Sequence, residues 1–331
     1  MKKMIKILKW FGIILLLIVV GFILFVQFNS DKKWDAPYPE IVASKDSTII
    51  ARGKYLVYGP AHCGTCHVPV NKLEAVEQGE MLPLQGGCEF PIPIGTFRAN
   101  NLTPDLETGI GSLSDKEFGR ILRYSVGKDG NFLLDLMPFQ EMCDDDITAI
   151  ISFLRTQEPI ENKIEKTEYT FFGKSAMALG MLQPKGPKST PPKSIKIDST
   201  VEYGKYLATS VSNCIGCHTD RNIKTGEYVG AAFAGGMYFE PNEYSDGVAF
   251  VSPNLTPDIE TGIMARWDEP TFINRFKANR IHKGSPMPWG SFSRINEIEI
   301  KAIYRFLKSL DPVKNKIEKT VIKPDKLTTS Y

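Results

Sequence analysis

The sequence predicts an all-α fold, with two related helical domains and long loops behind one N-terminal membrane helix. Three observations support this prediction: an uncharged apolar run near the N-terminus, a long internal repeat, and apolar residues at helical spacing within each copy. At 331 residues, the chain has the length of two ordinary domains. An alternation of apolar and polar residues, which would indicate strands, is not sustained anywhere.

Residues 10–26 form the apolar run, WFGIILLLIVVGFILFV. A helix rises about 1.5 Å per residue, so this run nearly crosses a hydrocarbon core of about 30 Å. Lysines crowd its N-terminal side, and the positive-inside rule therefore leaves the N-terminus in the cytoplasm and exports the chain after about Asn29. We expect residues 1–30 to be an uncleaved, single-pass membrane anchor.

A cleaved signal peptide is the main alternative for this segment, and a buried core helix is a third interpretation. Signal peptides usually have a shorter apolar region, of about 7–15 residues, and a small-x-small cleavage site. The flanking sequence VQFNSDKKW contains no such site. Both leading interpretations place the body of the protein in an oxidising compartment, where disulfides persist.

The composition is that of a folded protein with little affinity for nucleic acid. Hydrophobic residues make up 42% and charged residues 24%, which excludes disorder over most of the chain. The formal net charge is +2, and four lysines lie within the first nine residues. The remainder is nearly neutral and lacks the concentrated basic face that phosphate binding needs, so we expect no nucleic-acid partner.

Five motifs recur in the same order at offsets of 150 to 153 residues. Two copies of this length indicate two homologous domains rather than a solenoid, whose units are shorter and more numerous. We expect these domains to occupy residues 45–168 and 199–320. The paired motifs are Gly53–Leu56 and Gly204–Leu207, Cys63–His67 and Cys214–His218, Asn101–Ile110 and Asn254–Ile263, Met137-Pro138 and Met287-Pro288, and Asn162–Thr167 and Asn315–Thr320.

Residues 169–198 belong to neither copy. Tyr169–Leu182 is apolar enough to pack as a short helix or strap. Pro184–Lys193 is dense in proline and lysine, and proline favours extended backbone. We therefore expect an interdomain strap followed by an exposed linker.

Each copy is predicted to contain three helices. The first surrounds the Gly-Lys-Tyr-Leu motif, beginning near Ile50 or Val201. The second begins near the capping box Ser114–Glu117, or near Asp268 in the second copy. The third covers Asp144–Arg155, or Glu297–Ser309 with Asn296 as its N-cap. The loops between these helices, such as residues 85–95 and 235–253, are rich in glycine and proline, which fits a chain that wraps a large prosthetic group.

The motif Cys-x-x-Cys-His, present once in each copy, is the attachment motif of haem c. Its two thiols bond to the vinyl groups of a haem, and the adjacent histidine faces the iron. Zinc would need two more ligands per site, and a thioredoxin-like site would need a βαβ context, neither of which the sequence supplies. The expected attachment residues are Cys63, Cys66 and His67, and Cys214, Cys217 and His218.

Met137 and Met287 are the expected sixth ligands of the two irons. Each begins a Met-Pro pair, 70 residues after His67 and 69 after His218. A thioether ligand raises the potential of a haem iron. Most methionines only fill cores, but the Met-Pro pair recurs at an equivalent position in both copies, which favours ligation. His282 is an alternative ligand without a counterpart in the first copy.

Both copies resemble class I cytochrome c domains, in which Cys-x-x-Cys-His, a loop, Met-Pro and a C-terminal helix follow one another. The phrases NLTPDLETGIG, MPFQ, MPWGSF and DITAIISFL resemble the cytochrome c subunits of bacterial membrane-bound alcohol, aldehyde and sugar-acid dehydrogenases. The resemblance covers roughly residues 45–320. Those subunits typically carry three haems, whereas this chain has two motifs.

The resemblance implies a dihaem electron carrier with two covalently attached haem c groups. Its haem domains would lie on the periplasmic side of the inner membrane. It would receive electrons from a periplasmic or quinol-linked dehydrogenase and pass them to a cytochrome or oxidase. A dihaem enzyme of the peroxidase or thiosulfate-dehydrogenase type is the alternative. It would need an open iron position, against which the two Met-Pro pairs argue.

The resemblance also implies structural roles. Gly53 and Gly204 should let the first helix of each copy approach the last helix closely. The Asn-Leu-Thr-Pro loops should offer a backbone carbonyl, near Asn100 or Pro253, to the second ring nitrogen of the haem-ligating histidine. A capped turn alone is the alternative interpretation of these loops. His62, just before the first motif, is expected to be a solvated surface residue.

Cys88 and Cys143 have no counterparts in the other copy. Because both lie in the exported region, a disulfide between them is our first expectation. Two free thiols come second, and Cys88 as a thiolate ligand of the first iron comes third.

Overall fold

The computed structural model describes residues 1–134, 136–222, 226–241, 244–278 and 280–324, and they are mostly helical, as the sequence predicts. The first copy contains α2 (Ser47–Tyr58), α3 (Leu73–Glu77), α4 (Asp115–Tyr124) and α5 (Asp144–Arg155), after α1 (Lys2–Asn29). Then follow α6 (Phe171–Ala178), α7 (Val201–Tyr206), α8 (Cys214–Cys217), α9 (Ile263–Arg266), α10 (Glu269–Lys277), α11 (Trp289–Phe292) and α12 (Glu297–Lys308).

The long loops also contain short strands, which corrects the purely all-α prediction. Within the described part of the chain, they form two three-stranded antiparallel sheets. The strands are β1 (Glu89–Ile92), β2 (Gly95–Arg98), β3 (Glu168–Tyr169), β4 (Tyr238–Phe239), β5 (Ala249–Val251) and β6 (Val321–Ile322). At two to four residues each, they are too short for an alternating pattern to stand out in the sequence.

Helix α1 is long and apolar enough to cross a membrane by length and composition. The segment that follows α1 packs along α4. The Trp34 amide donates to the Gly130 carbonyl at 2.8 Å, and the Trp34 carbonyl accepts from the Arg120 guanidinium at 3.2 Å. Ile41 is buried in the core and packs close to Gly119 of α4. These contacts attach α1 closely to the first copy.

The helices of the body begin where their capping residues predict. In the capping box of α4, the Ser114 hydroxyl accepts from the Glu117 amide, and the Glu117 carboxylate accepts from the Ser114 amide. The Asp268 carboxylate caps α10 by accepting from the Thr271 amide at 2.9 Å. Asn296 is at the N-cap of α12, but its side chain makes no capping hydrogen bond.

The first and last helices of each copy cross at the expected glycine. A Cβ atom on Gly53 of α2 would lie 1.8 Å from the carbonyl oxygen of Ala149 in α5. A Cβ atom on Gly204 of α7 would lie 1.9 Å from the carbonyl oxygen of Ala302 in α12. The prediction of close backbone approach is therefore confirmed in both copies.

A buried hydrogen-bond clamp explains why two distant motifs recur together. The Asn101 side chain accepts from the Thr103 amide at 2.9 Å and donates to the Ile160 carbonyl at 2.7 Å. The Asn162 side chain donates to the Gln85 carbonyl at 2.8 Å. The Asn162 amide also donates to the Thr108 hydroxyl at 2.9 Å, which fixes the Asn-Leu-Thr-Pro loop to the Asn-Lys-Ile-Glu-Lys-Thr segment. The second copy repeats these bonds at Asn254, Thr256, Val313, Asn315 and Ala234.

The two copies meet across a buried cluster of charged and phenolic groups. The Arg52 guanidinium lies 2.9 Å from the Asp146 carboxylate of its own copy and 3.0 Å from the Glu299 carboxylate of the other. The Glu299 carboxylate, fully buried, also accepts from the Tyr203 hydroxyl at 2.5 Å. The Tyr206 hydroxyl donates to Asp146 across the interface at 2.7 Å. The copies are thus joined by paired charges with defined geometry.

The segment between the copies contains a helix, α6, within the predicted strap. The Pro/Lys-rich linker is extended, but it is held against α5. The Asp144 and Asp145 amides donate to the Pro192 and Lys193 carbonyls at 3.1 and 2.9 Å. The linker thereby satisfies amides at the start of α5 that lack partners within the helix.

Gly53→Ala should destabilise the protein by about 1–3 kcal/mol or more, because a methyl group there overlaps the backbone of α5. Denaturant unfolding in detergent, followed by circular dichroism, measures this loss. Gly21→Ala is the matched control, since nothing lies within 4 Å of a Cβ atom there. Equal unfolding midpoints for the two variants would contradict the crossing.

Glu299→Ala should cost about 3–5 kcal/mol of folding free energy, because it leaves Arg52 with part of its buried charge unpaired. Glu297→Ala in the same helix removes only the exposed ion pair with Lys301 and should change the unfolding midpoint little. The comparison of the two midpoints is the measurement. A similar small effect from both variants would show that the buried cluster does not stabilise the fold.

Candidate functional site

The first Cys-x-x-Cys-His motif follows α2 and forms one tight helical turn. Residues Cys63–Thr65 are a 3₁₀ helix, and the His67 amide donates to the Cys63 carbonyl at 3.0 Å. The turn begins at His62, whose backbone is left-handed with φ 41°. This geometry keeps the Cys63 and Cys66 thiols on a single turn, which attachment to one macrocycle requires.

The second motif repeats this arrangement. Cys214–Cys217 is a single helical turn, α8, and the His218 amide donates to the Cys214 carbonyl at 2.9 Å. The preceding residue, Asn213, is also left-handed, with φ 51°. Sequence reasoning missed this backbone requirement. Asn and His tolerate the left-handed region better than most residues, and that tolerance is the only available clue.

Both motif histidines make the hydrogen bond that was expected of them. The Nδ1 atom of His67 lies 2.8 Å from the Asn100 carbonyl oxygen, and Nδ1 of His218 lies 3.1 Å from the Pro253 carbonyl oxygen. A carbonyl only accepts, so Nδ1 carries the proton in each ring. The other nitrogen, Nε2, then keeps the lone pair that a metal needs.

A cavity of about 460 Å³ lies beside the first motif. Cys63, His67 and Met137 all line it, so the structure brings together three predicted residues that are up to 74 positions apart in the sequence. Cys66, the fourth, lies half-buried at the end of the motif turn. The other walls are largely apolar and include Leu102, Leu113, Phe118, Ile121, Leu122, Phe139, Ile150 and Leu154.

These walls fit a haem. A haem macrocycle needs apolar walls, two thiols at one edge and donor atoms for its iron. The cavity has largely apolar walls and is lined by Cys63, His67 and Met137, and the Cys66 thiol lies on the same motif turn. Met137 and Met287 are both half-buried against the core. Their carbonyls accept from the Phe139 amide at 3.0 Å and the Trp289 amide at 2.8 Å, so the Met-Pro turn is the same in both copies.

Burial sets the protonation of the motif side chains. It raises the pKa of Cys63 and of Cys214 to about 12, with the neighbouring motif thiol adding to the shift. It lowers the pKa of His67 and brings that of His218 to about 4. At neutral pH the thiols are protonated, unlike the low-pKa cysteines of thioredoxin-like sites. The imidazoles are neutral and able to ligate.

His62 is not the solvated residue that was expected. It is half-buried, and its ring meets Phe292 of the second copy edge-on at a centroid distance of 5.3 Å. Burial lowers its pKa. The proximity of the two copies, which the sequence does not show, accounts for the difference. His282, the alternative ligand, is exposed.

The expected disulfide between Cys88 and Cys143 is wrong, since both thiols are free and buried. Cys88 immediately precedes β1, and its pKa is raised to about 11 by burial and by the nearby Cys66. Cys143 is the N-cap residue of α5, and its sulfur lies 3.3 Å from the Tyr206 hydroxyl oxygen. The two thiols therefore lie in different surroundings, Cys88 near Cys66 and Cys143 near Tyr206.

The Asn-Thr clamp is the other feature that sequence reasoning missed at the site. Asn101 and Asn254 of this clamp directly follow Asn100 and Pro253, whose carbonyls accept from the motif histidines. The clamp therefore fixes the loop that orients each histidine. The repeat of Asn162–Thr167 at Asn315–Thr320 was the available clue, because it shows that the segment has a constant partner.

Comparison with known proteins confirms the resemblance to cytochrome c subunits. The chain is 28% identical over 283 residues to the cytochrome c subunit of a quinone alcohol dehydrogenase from Gluconobacter oxydans, covering 81% of this chain and 56% of the relative. It is 26% identical over 313 residues to the gluconate 2-dehydrogenase cytochrome c subunit of Pantoea cypripedii, covering 89% and 64%.

A diheme cytochrome c-type protein of Cereibacter sphaeroides is 26% identical over 225 residues, covering 66% of this chain and 71% of the relative. No protein-family model matches the chain. The chain spans 56% and 64% of the two dehydrogenase subunits above. Its homologues are thus cytochrome c subunits of dehydrogenases and a diheme cytochrome.

Proposed function

We propose that this chain is a membrane-anchored dihaem c-type cytochrome that carries electrons. It would consist of two tandem class I cytochrome c domains, at residues 45–168 and 199–320, joined by residues 169–198 and attached to the membrane by residues 1–30. The main support is the cavity that Cys63, His67 and Met137 line together. The equivalent turn, histidine bond and Met-Pro turn in the second copy support a second site.

In this proposal, Cys63 and Cys66 hold one haem c by thioether bonds, and Cys214 and Cys217 hold the other. His67 and His218 ligate through Nε2, because a carbonyl occupies Nδ1. Met137 and Met287 would each supply a further ligand to an iron, and a thioether ligand would keep its potential high. A haem bound in this way supplies one-electron oxidation and reduction. With a histidine and a methionine holding each iron, no ligand position would be left for a substrate, and the chain would be a carrier rather than a catalyst.

The contacts between the copies favour electron exchange inside the chain. Burial raises the pKa of Cys217, and the Cys66 thiol of the other copy adds to this shift, so the two motifs lie within electrostatic reach of each other. An ion pair between Glu77 and Arg280 joins the copies near these motifs. The buried Arg52 cluster fixes their relative position. Two haems attached there would keep a constant separation.

The proposed partners follow from the relatives. Two of them are named as cytochrome subunits of quinone alcohol dehydrogenase and of gluconate 2-dehydrogenase. We propose that this chain likewise accepts electrons from a periplasmic or quinol-linked dehydrogenase and passes them to a cytochrome or oxidase. Helix α1 would span the inner membrane once and leave the haem domains on the periplasmic side.

The matured protein should carry two covalent haems. Mass spectrometry after denaturation and acid-acetone extraction counts them. Replacing both Cys63 and Cys66 with serine should leave one haem, whereas Cys88→Ser should leave two, because Cys88 lies outside the motifs. One haem or none on correctly matured wild-type protein would refute the proposal.

Axial ligation can be tested at the two methionines. Met137→His and Met287→His should each remove about half of the far-red band of methionine-ligated ferric haem, and each should lower the potential of its own haem. Near-infrared absorption and a redox titration measure the two effects. Met181→His, at an exposed methionine, is the matched control. A far-red band that neither variant changes would show that these methionines are not ligands. A high-spin ferric spectrum of the wild-type protein would favour the alternative of a dihaem enzyme.

A further inference from the structure

Helix α6, which belongs to neither sequence copy, presents one face to the protein. A Cβ atom on Gly173 would lie 2.0 Å from the Ile94 carbonyl oxygen, so α6 is pressed against the β1–β2 turn. The Thr170 amide donates to the same carbonyl at 3.1 Å, and the Thr170 hydroxyl donates to the Pro93 carbonyl at 2.9 Å. Gly173, Ser175 and Ala176 are buried on this face. The helix is thereby fixed to the first copy.

Apolar side chains on and after α6 are exposed on its other side. Phe171 is 53% and Phe172 51% exposed, and Leu179 and Met181, directly after the helix, are 56% and 64% exposed. Lys174 lies among them and is also exposed. Large apolar groups gathered on one surface mark an interaction site more often than chance exposure does.

The contact between α6 and α1 indicates what covers this surface. The Phe171 ring meets the Phe22 ring edge-on at a centroid distance of 6.3 Å. Val26, one turn after Phe22, is only 2% exposed, unlike the rest of α1. Phe22 precedes the end of the apolar run at Val26 by four residues, which is about 6 Å along a helix. Along the axis of α1, Phe171 therefore lies beside the apolar span and not beyond its end.

We propose that α6 and its exposed apolar residues form a second membrane contact, seated in the outer interface of the bilayer that α1 crosses. The proposal rests on the proposed function, in which α1 is a retained anchor. The occupant is lipid, because the surface is continuous with the span and reaches the same depth. Interfacial helices bury an apolar face about 5–10 Å into the headgroup boundary, which matches the level of Phe171.

The charges beside this surface suit a headgroup layer. Lys174 can extend its ammonium to lipid phosphates while its methylene stem stays among apolar groups. Lys185 and Lys188 follow within the exposed linker. Two attachment points, α1 and α6, would prevent the first copy from rotating about its anchor. The cavity would then keep a fixed height and direction above the membrane.

The test is nitroxide labelling of the full-length haem protein in phospholipid vesicles. Single cysteines replace Phe171 or Phe172 on α6, Leu16 within α1, and Ile259, an apolar residue of the body that is 85% exposed. The unmodified protein, with Cys88 and Cys143 buried, gives the labelling background. Measurements use the oxidised protein throughout, because a reductant would also reduce the nitroxide, and accessibility is taken as the change in relaxation on adding each reagent, which removes the constant contribution of the haems. Each variant must retain the wild-type haem spectrum.

Accessibility to oxygen, which concentrates in lipid, is compared with accessibility to a water-soluble nickel complex. We expect the labels at 171, 172 and 16 to be much less accessible to the nickel complex than the label at 259. A protected label at 16 with nickel-accessible labels at 171 and 172 would overturn the second contact and leave the anchor intact. A nickel-accessible label at 16 would overturn the anchor itself, and the second contact with it.

Discussion

The close crossing of the first and last helices in each copy is the constraint on which the rest of the structure depends. At Gly53 the backbone of α5 occupies the space of a side chain, and at Gly204 the backbone of α12 does the same. The motif turns begin five residues after the end of α2 and eight residues after the end of α7, so each crossing sets where the thiols and the histidine lie. The cavity beside the first motif is lined by Ile150 and Leu154 of α5 as a result.

Long loops form the parts of the site that the helices do not, and buried hydrogen bonds make these loops rigid. Asn101 and Asn254 satisfy their side chains within the clamp, which leaves the preceding carbonyls to orient the motif histidines. An unpaired buried polar group costs about 1–3 kcal/mol, so the whole set of bonds tends to form together. The loops thus act as walls of the site although they contain little regular structure.

The interface between the copies turns a duplicated sequence into one unit. Arg52 bridges a carboxylate from each copy, and Tyr206 and Tyr203 donate to those same carboxylates. A pair of buried charges holds its geometry well, because a displaced partner would leave a charge without compensation. The linker is held on α5 instead of separating the copies. Two redox groups attached to such a unit would exchange electrons over a fixed distance.

The sequence by itself determined the features that depend on neighbouring residues: the two Cys-x-x-Cys-His motifs, the capping box at Ser114 and the bounds of α5. The glycine crossings join distant helices, and they were foreseen only through the resemblance to a known family. Only the tertiary structure decided the rest. Strand β3 pairs with β2 from about 70 residues away, His62 packs on the other copy, and Cys88 and Cys143 stay apart. These outcomes arise from contacts between distant segments, and short-range patterns carry no information about which distant segment will be the partner.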